Sequence, residues 1–264
     1  MVDVIFLGVE GYPSNGRRTI SVLLKQDDNY LLLDCGASII EQLAEMGMHV
    51  ADVDAVFISH LHADHSSGLP LLCFGNIMER FGGQVKGKGH LSILGRESVL
   101  NPLIAYCKAA YPALWTDNPF VEMQMIFCLE DGLSEIDFGW GCAKTLPTDH
   151  AIPSTAIAVE TKAGIICYCS DTRPSDALVE LASKPSLLIC NVIGPNEIAE
   201  TTGRFGFMTP EAAGQLGIKL KAYKLALIHI ANADQRRICQ DQAAAVFGGQ
   251  VLVPSNGETI GLEL

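Results

Sequence analysis

Six consecutive residues, His60-Leu61-His62-Ala63-Asp64-His65, constrain this chain more than any other segment. They follow Val53–Ile58, a short apolar run that reads as a buried strand. In an extended segment His60 and His62 project to the same face, so both can reach one ion. Where the chain turns into the next helix, Asp64 and His65 fall on a neighbouring face and can reach a second. Nitrogen and carboxylate donors at this density suit zinc, and also iron or manganese. The competing reading is a solvated turn that happens to be rich in histidine. With 7 His in 264 residues, so dense a cluster at a strand end reads as a metal site.

Six residues cannot close two metal sites alone, so further donors must come from distant segments. His150 follows Leu146-Pro147-Thr148-Asp149, Asp171 ends the apolar run Ile165–Ser170, and His229 ends Leu225-Ala226-Leu227-Ile228. Each lies where a buried strand delivers a polar side chain to a sheet edge, as His60 does. One such residue would be read as a cap or a satisfied polar group in the core. Three of them sharing that position favour a common site. His49 and His90 lie in polar or Gly-rich connections and read as surface residues.

Along the chain, β-rich runs alternate with helical stretches. Val2–Leu7, Thr19–Lys25 and Tyr30–Asp34 read as strands, the last two joined by a turn at Gln26-Asp27-Asp28-Asn29. Ser38 is placed to cap a helix running to about Met46, with Glu41 as its capping-box partner. Helices are expected from Leu69, from about Arg96 to Ala110, and over Pro174–Ala182, Pro210–Ile218 and Asp234–Phe247. Strands are expected at Ser92–Leu94, Met125–Phe127, Ser134–Phe138, Ala143–Leu146, Thr155–Thr161, Ile165–Cys169, Leu187–Cys190, Lys224–Ile228 and Gly249–Val253. No Gly/Ser linker or repeat divides the chain, so residues 1–264 are expected to form a single domain. Two mixed sheets packed face to face and flanked by helices satisfy the pattern. No G-x-G-x-x-G follows the first strand, which argues against a dinucleotide fold.

Charge narrows the partners. Against 18 Lys+Arg stand 30 Asp+Glu, a net charge of −12, and no cationic run exceeds two residues. A duplex-binding surface needs clustered cations to displace counterions, so nucleic acid is disfavoured as a main partner. The nine cysteines are scattered, mostly within apolar runs and without a C-x-x-C pair, as in a reduced cytosolic interior. No apolar run approaches the roughly 20 residues of a membrane helix, and the start Met1-Val2-Asp3-Val4 lacks a signal peptide's charged region. These features point to a soluble cytoplasmic protein acting on a small molecule, with a homodimer allowed.

His60-x-His62-x-Asp64-His65, followed in order by His150, Asp171 and His229, resembles the ligand set of the metallo-β-lactamase superfamily. Phe6-Leu7-Gly8, Arg17-Arg18-Thr19 and Leu32-Leu33-Asp34-Cys35-Gly36 are similar to the opening of its ribonuclease Z and small-phosphodiesterase branch. The resemblance runs from about residue 2 to 262. It implies an α/β fold, the αββα sandwich of two mixed β-sheets flanked by helices, with two divalent metal ions, zinc foremost, at the strand ends. It further implies that His60, His62 and His150 hold one ion, that Asp64, His65 and His229 hold the other, and that Asp171 bridges them. Asp34 would orient ligands from behind by hydrogen bonding, and Asp64 is the candidate to accept or relay a proton.

Two departures separate this chain from that branch. Phe207, in Gly206-Phe207-Met208-Thr209-Pro210, stands where the branch carries a histidine that assists the substrate's phosphate. Only 20 residues separate His150 from Asp171, where tRNA-processing members insert a long basic arm. Together with the negative charge, the missing arm argues against tRNA 3′ processing. The expected activity is metal-assisted hydrolysis of a small phosphodiester or related ester. An iron-dependent redox enzyme on the same scaffold, and a metal-holding member with lost or altered catalysis, are the alternatives.

Overall fold

A computed structural model of the chain describes residues 1–12, 17–83, 89–116, 124–129, 132, 134–138 and 140–263. For residues 124–128 only the backbone is described. Among these residues two seven-stranded sheets lie face to face. The first contains β1 (Val2–Gly8), β2 (Ser21–Gln26), β3 (Asn29–Leu33), β4 (Ala55–Phe57), β5 (Leu91–Arg96) and β6 (Gln124–Leu129). The second contains β7 (Ser134–Asp137), β8 (Cys142–Thr148), β9 (Ser154–Thr161), β10 (Gly164–Tyr168), β11 (Leu187–Asn191), β12 (Lys224–Ile228) and β13 (Gln250–Leu252). A last strand, β14 (Glu258–Leu262), returns to the first sheet and pairs antiparallel with β1.

The sheet orders are β14-β1-β2-β3-β4-β5-β6 and β13-β12-β11-β10-β9-β8-β7. In each sheet one half is antiparallel and the other parallel: β3 to β6 run parallel in the first, β10 to β13 in the second. Parallel strands need helical crossovers, and these cover the outer faces. Val4, Phe6, Leu31, Leu33 and Phe57 meet Ile157, Val159, Tyr168, Ile189 and Ile228 between the sheets. The opposite side chains of β3 and β4, Leu32 and Val56, pack with Leu43, Leu69, Leu72, Val99 and Leu100 of the helices Ile39–Glu45, Leu69–Phe81 and Glu97–Ala110. On the other side Leu188, Leu225 and Leu227 meet Ala213, Leu216, Cys239 and Ala243 of Pro210–Leu220 and Arg236–Phe247. Each fully buried Leu, Ile or Phe contributes about 1.5–3 kcal/mol. This is the αββα sandwich.

The strand runs read from sequence are present with ends shifted by one or two residues, and Lys224–Ile228 matches at both ends. Other features differ. Ser38 precedes the first helix with φ −101° and ψ 23°, and its hydroxyl accepts from the Gln42 amide at 2.8 Å instead of capping a backbone N–H. The helix within Pro174–Ala182 shrinks to Leu178–Leu181. Strand β14 and the helix Ala199–Arg204 were not expected. Among the described residues no helix is long and apolar enough to cross a membrane.

Candidate metal centre

The chain brings its polar strand ends together by sharp backbone turns. Asp34, Ser170 and His229 directly follow or nearly follow β3, β10 and β12, with φ of 58°, 55° and 70°. Non-glycine residues in this region cost on the order of 1–3 kcal/mol each and persist where surroundings impose them. His229 is held there by its N–H donating to the Val9 carbonyl at 2.8 Å. The His60–His65 segment leaves β4 and enters a one-turn helix, Ala63–Ser66, with His62 before its first residue. Its position is fixed from β3: Cys35 N–H donates to the His65 carbonyl at 2.7 Å, and Gly68 N–H donates to the Cys35 carbonyl at 2.9 Å. Gly68 must be glycine, because a Cβ there would lie 2.2 Å from the Gly36 carbonyl oxygen.

These turns converge seven side chains. His60, His62, His150 and Asp171 form one group of donors, and Asp64, His65 and His229 a second. Asp171 Oδ2 faces both groups, 3.4 Å from His60 Nε2, 3.5 Å from His65 Nε2, and 3.7 Å from Nε2 of His150 and of His229. His150 Nε2 and His62 Nδ1 are 3.3 Å apart, and Asp64 Oδ2 lies 3.2 Å from His229 Nε2 and 3.6 Å from His65 Nε2.

The tautomers follow from the atoms behind the rings. Asp34 is fully buried, and its carboxylate accepts from Ser59 N–H at 2.7 Å, Ser59 Oγ–H at 2.8 Å, His65 Nδ1–H at 2.7 Å and the Tyr168 hydroxyl at 2.6 Å. His65 therefore turns Nε2, the nitrogen that would meet a cation, towards Asp171. Having donated to Asp34, the Ser59 hydroxyl accepts from His60 Nδ1–H at 2.9 Å, which bares Nε2 of His60. His150 Nδ1–H donates to the Gly206 carbonyl at 2.9 Å, which turns its Nε2 towards His62 and Asp171. Asn191 Nδ2 donates to Asp171 Oδ1 at 2.7 Å and leaves Oδ2 to the four imidazoles.

A divalent cation fits this arrangement. Nε2 of His60, Nε2 of His65 and Oδ2 of Asp171 are buried and make no hydrogen bond. Several separations exceed good hydrogen-bond length, yet two donors about 2.0–2.2 Å from a shared tetrahedral ion lie about 3.4 Å apart. Burial, reinforced by the charge of His65, pushes the pKa of His60 down to about 4, so this ring is neutral and ready to ligate. Burial would also lower His65, but the Asp171 and Asp34 carboxylates outweigh it and lift the pKa to about 9. Burial would raise Asp171, yet the His229 and His65 rings hold it well below the usual carboxylate range. A cation would take the place of the His65 proton in balancing the carboxylates.

Phe207 closes one side of the centre. Its ring lies 5.5 Å from that of His150 and 4.8 Å from that of His229, and it is 7% exposed. His49 is remote from the site, with an exposed side chain near Glu79. His90 is half-buried at the rim of a cavity of about 420 Å³, beside Asp54 and Trp140. It precedes β5, which runs parallel to β4, so it sits at the opposite end of the sheet from His60.

Ser59 and Tyr168, which help orient the donors, were not singled out from sequence. Ser59 adjoins the histidine segment and carried a positional signal; Tyr168 read as an ordinary strand residue, and Asn191 lies one residue beyond the expected strand Leu187–Cys190.

Comparison with known proteins bears on this centre. The family model described as anti-Pycsar protein Apyc1 matches residues 2–190. Ribonuclease Z of Natronomonas pharaonis is 26% identical, over 97% of this chain and 96% of its own length. The probable metallo-hydrolase YhfI of Bacillus subtilis is also 26% identical, over 94% of each chain. The crystal structure of YhfI, described as a metallo-beta-lactamase fold protein, superposes with a TM-score of 0.82 at 22% identity and covers 98% of both chains. The sandwich is thus the metallo-β-lactamase fold.

Proposed function

The chain belongs to the family of anti-Pycsar protein Apyc1, and on that premise we propose that residues 1–264 act as one dinuclear, metal-dependent hydrolase of small phosphodiesters. The observation that carries this reading is Asp171 Oδ2, buried, without a hydrogen bond, and 3.4–3.7 Å from four imidazole nitrogens drawn from both donor groups. His60, His62 and His150 would hold one ion and Asp64, His65 and His229 the second, with Asp171 available to both. Zinc suits this nitrogen-rich set, with iron and manganese as competitors. When bound, the cations supply Lewis-acid polarisation of a phosphoryl oxygen and acidify water near neutral pH.

The protein's own part is orientation. Asp34, directly and through Ser59, keeps His65 and His60 in the ligating tautomer, and the Gly206 carbonyl does so for His150. Although partial burial opposes ionisation, the hydrogen bond from His229 and the charge of His65 keep Asp64 a carboxylate. Asp64 is the more exposed of the two carboxylates facing the donors, which makes it the group to accept a proton from an attacking water. Phe207 walls the centre against bulk solvent above His150 and His229.

The test is metal analysis of protein never exposed to chelator, followed by assay on a chromogenic phosphodiester, thioester, lactone and aryl sulfate. Two transition ions per chain and turnover of the phosphodiester are expected. One ion at full occupancy defeats the dinuclear reading, and turnover of another ester alone defeats the substrate class.

A further inference from the structure

His150 is oriented differently from His60 and His65. His60 and His65 are held from behind by the buried Asp34 and its partner Ser59, whereas His150 leans on a single carbonyl, that of Gly206, 56 residues further on. Gly206 belongs to the turn after Ala199–Arg204 and has φ +83°. A Cβ there would lie 2.6 Å from His150 Nδ1. A carbonyl can fix a ring only if the turn bearing it is itself fixed.

One side chain ties this turn to the rest of the site. Arg173 Nε donates to the Gly203 carbonyl at 2.7 Å, and Nη2 lies 3.5 Å from the Arg204 carbonyl. Nη1 of the same guanidinium donates to Asp149 Oδ1 at 2.9 Å, next to His150 itself. The backbone closes the frame, since Arg173 N–H donates to the Asp149 carbonyl at 2.7 Å. Arg173 is two residues beyond Asp171, so one planar fork joins three segments: the end of β8 carrying His150, the end of β10 carrying Asp171, and the turn carrying Gly206 and Phe207. Phe207 N–H donates to the Thr202 carbonyl at 3.0 Å and completes the turn.

We infer that Arg173 is a positioning residue for the metal centre. It clamps the 203–207 turn against Asp149 so that the Gly206 carbonyl holds His150 in ligating orientation. The inference rests on the reading of His150 as a metal ligand. A guanidinium suits the task because its donors are fixed in a plane and span two carbonyls and a carboxylate at once; an ammonium on a flexible stem offers a single point. Groups that orient a metal-bound histidine are worth about 10–100-fold in metal affinity. Only the donor group of His60, His62, His150 and Asp171 should weaken, because the Arg173 side chain bonds to Asp149, Gly203 and Arg204, on the His150 side of the centre, and not to Asp64, His65 or His229.

The experiment titrates apoprotein with zinc alone, in competition with a chromogenic chelator, for the native chain and for Arg173→Ala, Arg173→Lys, Gly206→Ala and His150→Ala. The native chain should take two ions and His150→Ala should lose most of one. If His150→Ala binds both as before, the metal-ligand reading has failed and the clamp with it. If it loses one ion, the clamp is judged on its own: Arg173→Ala should bind one ion about 10–100-fold more weakly and the other within about twofold. Arg173→Lys should recover only part of the loss, and Gly206→Ala should reproduce it. Equal weakening of both ions in Arg173→Ala, or no weakening of either, overturns the inference. Should Arg173→Ala fail to fold, Asp149→Asn removes the charge partner of the fork and should shift the same ion in the same direction; no shift there is equally decisive.

Discussion

The Tyr168 hydroxyl in the second sheet donates a 2.6 Å hydrogen bond to Asp34 Oδ2 in the first. It spans the sandwich beneath the donor cluster, and both residues are fully buried. Burial and the adjacent Asp34 charge hold the phenol well above its ordinary pKa, so it remains a donor. The two sheets are thereby registered at the carboxylate that orients His65 and, through Ser59, His60.

Tyr168→Phe tests that link with little change in packing. It removes one of four donors to a buried carboxylate, and stability should fall by about 1–3 kcal/mol, read from the denaturant midpoint at unchanged slope. Asp34→Ala should cost more, because it strands Ser59, His65 and Tyr168 together. Equal stability of Tyr168→Phe and the native chain would show that the contact is not a structural tie.

Metal uptake should release a proton. In the apoprotein His65, with a pKa lifted to about 9, is an imidazolium at pH 7.5 with its second proton on Nε2, whereas His60, lowered to about 4, is neutral and keeps only its Nδ1 proton. Ligation through His65 Nε2 must displace that proton. Calorimetric titration with zinc in two buffers of different ionisation enthalpy should therefore report release of about one proton from this ring. Identical heats in both buffers would contradict the protonated state of His65.

The donors were legible in the sequence because apolar runs such as Leu225–Ile228 end abruptly in a polar residue, and a buried strand has one place to put it. The residues that orient those donors were not. Tyr168 and Asn191 are strand residues whose partners lie 134 and 20 positions away, and neither local pattern nor residue type announces such a bond. Strand β14 escaped because it is mostly exposed at the sheet edge and lacks the apolar run that marked the others. The Ser38 capping box failed because the serine's backbone is not extended, which removes the geometry a cap needs.

Gly68→Ala should loosen the His60–His65 segment without touching a donor. The methyl group would meet the Gly36 carbonyl oxygen at 2.2 Å, so the segment or β3 must move. Overpacking of this kind costs about 1–3 kcal/mol. Melting temperature and metal content should fall together. A native melting temperature would mean that the backbone absorbs the methyl at no cost.

Precursor tRNA should not be processed, even though ribonuclease Z is among the similar proteins. A net charge of −12 and the 20 residues between His150 and Asp171 leave no basic arm to hold an RNA there. Measured 3′ processing that disappears in His65→Ala would refute this and reveal a local cationic groove.

Phe207 offers the sharpest test of the substrate class. Its ring packs against one histidine from each donor group, so a side chain at this position borders whatever sits over both. Phenylalanine can neither donate a proton nor stabilise charge there. If a phosphodiester occupies that space, Phe207→His places an imidazole beside the phosphate or its leaving group. A well-placed acid is worth about 10²–10⁴-fold, so even an imperfect one should raise turnover of an activated aryl phosphodiester by at least about tenfold. Burying an imidazole that lacks a partner costs about 1–3 kcal/mol, so the melting temperature should drop as the rate rises. The two readings on one variant separate a catalytic position from an ordinary packing residue, for which only the melting temperature would change. A folded, fully metallated Phe207→His protein with no gain on any phosphodiester would mean that the pocket serves another ester, and lactones, thioesters and sulfate esters would then take precedence.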